Sequence, residues 1–300
     1  MENQVVNPNG ANPEATVIPK PRRPTNWWLV VVAALFIIVP FLTWYGTWFG
    51  RALSDEKIAE YLADEKNPRH IQHALTQIEA RMEKGDQGVK KFYPAIVALT
   101  RNPTAEVRKT AAWVMGQDNS SEDFHRAIVS LLSDSDPLVR RNAALQLVRF
   151  GDAAGRPELR AMLQPFAATS PIAGTLVSLL PKGSRIRSGS LIGRIRDTSG
   201  NVQEFRAPVS GTISSAPIGN QSDLLTSNQT LPVKEGDQVV INQTIVWLNP
   251  DAVTITEALR ALTYVGAKED LPLIQQSVQF DGSAETSQLV AATAKAIEAR

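Results

Sequence analysis

The sequence predicts a multidomain α plus β protein: one transmembrane helix, an α-solenoid of helical repeats, and an all-β domain inserted into that solenoid. Three observations carry the prediction. A run of 23 residues has no charge, helical motifs recur about every 32–35 residues, and helical periodicity stops over residues 170–250. The expected order is a disordered tail at 1–26, a transmembrane helix at 27–49, helical repeats at 51–168, the β domain at 170–250 and further repeats at 251–300.

Composition sets the outer bounds. The 300 residues carry 31 Lys+Arg and 30 Asp+Glu, a near-balance that argues against a nucleic-acid binder. There is no cysteine, which excludes disulfides, thiolate metal sites and cysteine nucleophiles. Residues 1–26 are rich in Asn, Pro and small polar groups and have no periodicity, as a disordered tail would.

Residues 27–49, WWLVVVAALFIIVPFLTWYGTWF, would span roughly 34 Å as one helix, enough for a hydrocarbon core of about 30 Å. Trp27 and Trp28 stand at one end, and Trp44, Tyr45 and Trp48 near the other, as interfacial aromatics do. Pro40 lies inside, where a lipid-embedded helix tolerates it. The run is too long for a cleaved signal peptide. Lys20, Arg22 and Arg23 precede it, while Arg51, Asp55 and Glu56 follow. The positive-inside rule therefore expects a single-pass protein with a cytoplasmic N-terminus and an extracytoplasmic bulk, periplasmic in a bacterium.

From Asp55 onward, apolar residues recur at three- and four-residue spacing, as at Ile71, Leu75, Ile78 and Met82. Helices are expected over 55–66, 68–83, 87–99, 104–116, 122–133, 136–150 and 157–167, broken by Asn67-Pro68, Asn102-Pro103, Gly116, Asp136-Pro137 and Gly151. VRKTAAWVMG (107–116) reappears as VRRNAALQLVRFG (139–151), with the Val-Arg and Ala-Ala pairs displaced by 32. HRAIVSLL (125–132) reappears as LRAMLQPF (159–166), displaced by 34. Such a period marks helix pairs that bury their apolar faces on their neighbours.

These motifs resemble HEAT repeats, in particular the short phycobilisome-lyase-type repeats. In that family an Asp-Pro or Asn-Pro precedes a second helix bearing Val-Arg and small alanines. Here Asp136-Pro137, Val139-Arg140 and Ala143-Ala144 fit. The resemblance implies close helix packing at the alanines, and it implies that Arg108 and Arg140 pair with acids of adjacent turns. The repeats resume in EALRALTYVGAKEDLPLI (257–274), which aligns with residues 142–159 at a displacement of 115. Segment 157–167 reads as the first helix of a pair and 252–265 as a second. The β domain is therefore expected between two helices that pack together, with 283–300 as a closing helix.

Residues 170–250 contain their own repeat. GSRIRSGSLIGRI (183–195) aligns with GDQVVINQTIVWL (236–248) at a displacement of 53, which sets Gly189 against Asn242. Those are the residue types that best tolerate a left-handed turn. PIAGT (171–175) aligns with PVSGT (208–212) at 37, which places an extra loop around 216–230. The two copies are similar to the biotinyl/lipoyl carrier fold, most specifically in FRAPVSGTI (205–213) and VKEGDQVV (233–240). That resemblance implies a barrel-sandwich hybrid of two interlocked halves. A carrier would also need a lysine at the hairpin tip. The tip here, 197–201, is Asp-Thr-Ser-Gly-Asn, and Lys182 and Lys234 lie elsewhere. No amine means no amide to biotin or lipoate, so no cofactor is expected.

No dinucleotide, P-loop or nucleophile-elbow motif occurs. His70 and His73 share a helix face, but no third metal ligand is signalled, and His125 is isolated. No catalytic, cofactor or metal residue is assigned. Lys182, Arg185, Arg187, Arg194 and Arg196 form a candidate patch for an anionic lipid or polyanionic partner, set against the simpler reading of a solvated face. The functional expectation is a non-enzymatic, membrane-anchored, extracytoplasmic scaffold that binds protein partners. The alternatives are a subunit of a transport or secretion complex similar to membrane-fusion proteins and, disfavoured, a biotin or lipoate carrier.

Overall fold

The computed structural model describes residues 27–44, 52–215 and 233–300. The expected tail at 1–26, residues 45–49 of the apolar run and the extra loop around 216–230 lie outside the described residues. The chain divides into two units, Met1–Ala52 and Leu53–Arg300.

In the first unit the charge-free run is helical over Trp27–Trp44 (α1), with Pro40 inside it. Its 18 residues measure about 27 Å at 1.5 Å per residue, below the roughly 30 Å of a hydrocarbon core. Among the described residues no helix is long and apolar enough to cross a membrane. This corrects the expected transmembrane helix and, with it, the single-pass membrane localisation and the membrane as partner. An uncharged run of 23 residues sets the apolar character of the segment, but it does not set the length of the described helix, which covers 18 of them.

The second unit opens with helices α2 (Asp55–Leu62), α3 (Pro68–Glu83), α4 (Tyr93–Ala98), α5 (Ala105–Met115), α6 (Glu122–Leu131), α7 (Pro137–Leu147) and α8 (Arg156–Met162). Capping residues set the starts. Ser54 and Ser121 accept from the amides of Lys57 and Phe124, at 3.3 and 3.4 Å. Asp136 accepts from those of Leu138 and Val139 at 2.8 and 3.3 Å, with Pro137 opening the helix where a missing N–H costs nothing. The expected helix 157–167 closes at Met162, because Pro165 supplies no amide and disfavours helical backbone before it. The expected helix 87–99 divides into a 3-10 turn, Gln87–Phe92, followed by α4. One apolar cluster runs through these repeats from Ile58 to Leu147 and includes Ile71, Ile96, Val107, Phe124 and Val139.

Strands β1 (Phe166–Thr169), β2 (Gly174–Leu179), β3 (Arg185–Ile186), β4 (Leu191–Arg196), β5 (Val202–Arg206), β6 (Gly211–Ser214), β7 (Gln238–Val239) and β8 (Thr244–Asn249) follow. They form two four-stranded antiparallel sheets, ordered β1-β8-β6-β3 and β5-β4-β2-β7. Both sheets are open, which corrects the expected barrel-sandwich hybrid. Closure requires continuous pairing around the strands. Among the described residues β1, β3, β5 and β7 each pair on one side only, and β3 and β7 are two residues long. The internal repeat is nevertheless structural. Exchanging β1 with β5, β8 with β4, β6 with β2 and β3 with β7 converts one sheet order into the other. Gly189 and Asn242 are both left-handed, at φ 79° and 63°, so equivalent turns adopt equivalent backbone. Leu176, Ile195, Phe205, Ile213, Val246 and Leu248 from both sheets share one core.

After β8 come α9 (Ala252–Val265), α10 (Leu271–Gln276) and α11 (Ala284–Glu298). Leu159, Met162 and Leu163 of the α8 segment join Ile255, Leu259 and Leu262 of α9 in a third apolar cluster, which α10 and α11 complete through Ile274, Val290 and Ile297. Helices on either side of the β segment thus share one core.

Candidate functional site: a groove across three equivalent helices

Helices α5, α7 and α9 occupy equivalent places in the repeat. Each turns small or branched apolar residues inward: Ala111 and Ala112 on α5, Ala143 and Ala144 on α7, Ala258 and Leu259 on α9. The Arg of each Val-Arg pair ties its helix to its surroundings in the same way. Arg108 Nη1 donates to the carbonyls of Asn102 and Pro103, while its Nε and Nη2 reach Asp134 at 2.6 and 2.7 Å. Arg140 Nη1 donates to the carbonyls of Asp134 and Ser135, and its Nε reaches Glu158 at 3.2 Å. The Arg108 guanidinium holds the Asp134 carboxyl below the usual carboxylate range.

The positions left over on these helices line a groove of about 660 Å³. Lys109 and Trp113 come from α5. Arg141, Asn142, Leu145 and Gln146 come from α7, followed by Arg149. Val253, Glu257, Arg260 and Tyr264 come from α9. Asp251 caps α9 through the amide of Thr254 at 2.9 Å and stands at one end, beside Ser210 of the β segment. Three large apolar side chains face solvent here: Trp113 at 43 %, Val253 at 66 % and Tyr264 at 73 % exposure. Trp113 is fixed by its Nε1 donating to Glu79 at 2.6 Å.

The floor is polar and incompletely satisfied. Arg141 is 7 % exposed, lies over the Phe166 ring at 5.8 Å, and has its Nε 3.8 Å from Glu158, beyond hydrogen-bond reach. Among the described residues Arg141 Nε, Asn142 Oδ1 and Gln146 Oε1 are buried without a hydrogen-bond partner. The Gln146 carboxamide occupies the space that a Cβ at Gly116 would fill, so the glycine makes room for it. Burial weakens the proton affinity of Arg141, with Glu158 opposing. Burial, and then the Asp251 charge, push the Glu257 carboxyl above its usual range, against the pull of Arg141.

The residues singled out in the sequence lie elsewhere. His70 Nδ1 meets Asp64 at 2.7 Å and its ring stacks on Tyr61, while His73 tilts against the same tyrosine. His125 Nε2 meets Asp152 at 2.7 Å. Of the five basic residues, Arg194 and Arg196 are exposed on β4, with Arg194 3.9 Å from Glu204. Arg185 belongs to β3 of the other sheet, and Lys182 and Arg187 lie in turns outside the strands. Three of the five thus lie in strands, two on β4 and one on β3 of the other sheet.

Sequence reasoning missed the groove. A signal for it existed in the repeat alignment. Displacement by 32 equates Lys109 and Trp113 with Arg141 and Leu145, and displacement by 115 equates Asn142, Leu145 and Arg149 with Glu257, Arg260 and Tyr264. Large or charged residues at positions that the core does not use mark a shared surface.

Residues 93–167 match the family of HEAT repeats. No curated protein matches the chain. The matched segment, which contains α4 to α8, is a HEAT-like helical repeat, and such repeats commonly mediate protein–protein interaction.

Proposed function

We propose that the chain is a non-catalytic interaction scaffold whose partner docks in the groove across α5, α7 and α9. The observation that carries this reading is that exposed Trp113, Val253 and Tyr264 line one groove. A fold gains nothing from holding large apolar groups in water. A docked partner removes the three apolar groups from water. The HEAT-like repeat supports the reading, since helix pairs stacked in series present long side-chain surfaces. Affinity purification from native extract tests it. The full-length chain should retain defined proteins that a Trp113→Ala/Val253→Ser/Tyr264→Ala variant of unchanged circular dichroism loses. Equal retention by both chains would place docking elsewhere.

A further inference from the structure

We infer that the partner docked in this groove is a second copy of the chain, turned end to end about a two-fold axis. The inference rests on the docking reading above and names its partner. Along α9 the exposed residues Val253, Glu257, Arg260 and Tyr264 are four, three and four positions apart, a spacing that sets them on one face of the helix. The stripe reads apolar, acidic, basic, apolar. Its centre lies between Ala258 and Leu259, which is also the middle of α9. An antiparallel copy of α9 laid over that centre sets Val253 against the copy's Tyr264 and Glu257 against the copy's Arg260. The same two contacts recur on the other side of the axis, which is the condition for an isologous interface. Val253 and Tyr264 are then withdrawn from water by each other.

The remaining charge of the groove fits the same arrangement. Lys109 is paired with Glu106 at 2.8 Å and Arg141 stands 3.8 Å from Glu158, which leaves Arg149 and Arg260 against Asp251 and Glu257. Among the described residues none of these four has an opposite charge at ion-pair distance. They cancel in number but not in place. Asp251 and Glu257 stand toward the N-terminal end of α9, whereas Arg260 lies in its second half and Arg149 is level with Tyr264 in the repeat alignment. A face that is neutral but polarised along its length is complementary to itself reversed, as it is to no uniformly charged partner. Burial, and then the Asp251 charge, raise the Glu257 carboxyl in the single chain, and a guanidinium brought opposite counters that shift. Three helices at the usual 8–10 Å spacing and the 14 residues of α9 make a face about 20 Å on each edge. That is at the low end for a specific interface, so the dimer is expected to be reversible.

The test is sedimentation equilibrium of the full-length chain and of two charge reversals. Wild type should dimerise with rising concentration. Glu257→Arg sets like charges together at both contacts, and so does Arg260→Glu, so each variant alone should self-associate about tenfold or more weakly. An equal mixture of the two recovers both opposite-charge contacts and should form a heterodimer of near wild-type affinity. The double variant Glu257→Arg/Arg260→Glu should self-associate as wild type does. Misfolding of a single variant would not be repaired by mixing. The chain has no cysteine, which gives a second readout. Oxidation of an equal mixture of Val253→Cys and Tyr264→Cys chains should yield a disulfide-linked heterodimer in preference to either homodimer. A monomer at every concentration, self-association indifferent to both reversals, or no recovery on mixing would overturn the proposal. A monomeric wild type whose partner retention from native extract still depends on Trp113, Val253 and Tyr264 would leave the scaffold standing and remove only the second copy as its partner.

Discussion

The Arg108–Asp134 pair joins two successive repeats with side chains 12 % and 7 % exposed. Removing one partner leaves a buried charge, so Asp134→Asn should cost about 3 kcal/mol at neutral pH in urea denaturation. The pair also fixes an acid limb. The folded Asp134 carboxyl titrates below its unfolded value of about 3.8. Its stabilisation is therefore complete above that value and is lost as pH falls through the lowered one. Wild type should lose stability on acidification below about pH 4 more steeply than Asp134→Asn. Parallel pH profiles would show that the pair has no such role. A second residue is decisive for packing. A Cβ at Gly155 would lie 2.7 Å from Ala144 Cα, where the backbone leading into α8 presses on α7. Gly155→Ala should cost about 1–3 kcal/mol, read as a lower urea midpoint. An unchanged midpoint would mean that α8 shifts freely.

At the scale of elements, α8 and α9 share a core although eight strands lie between them in sequence. Replacing residues 166–249 with a short Gly/Ser linker should leave a helical chain that unfolds in one transition. Non-cooperative unfolding would mean that the β segment holds these helices together. The helices were largely legible in the sequence, because breaks such as Asp136-Pro137 encode their starts locally and the alanine pairs encode close approach. The internal repeat of the β segment was legible too, down to the left-handed turns at Gly189 and Asn242. Sheet closure was not, because pairing at β3 and β7 depends on partners distant in sequence, and a repeat of 53 residues does not say how many bonds each strand makes. The expected membrane span was not borne out over the described residues. Absence of charge is a composition, whereas spanning a membrane also needs a long enough helix, and the described one has 18 residues. Of the site, only the framework was visible. Arg141, Asn142 and Gln146 look like ordinary helix polar residues until the neighbouring helices bury them.

At the scale of the molecule, repetition explains both parts of the larger unit. Stacked helix pairs place equivalent residues of α5, α7 and α9 along one groove, and a duplicated strand pattern builds two sheets with matching order. The central claim is that this groove is the protein's docking surface. Site-specific photo-crosslinking tests it most directly, with p-benzoylphenylalanine placed at Tyr264 in the groove or at Arg126, which is exposed on α6. In native extract the probe at 264 should give a discrete protein adduct, and the probe at 126 should give none. Adducts at 126 alone, or none at either position, would contradict the account.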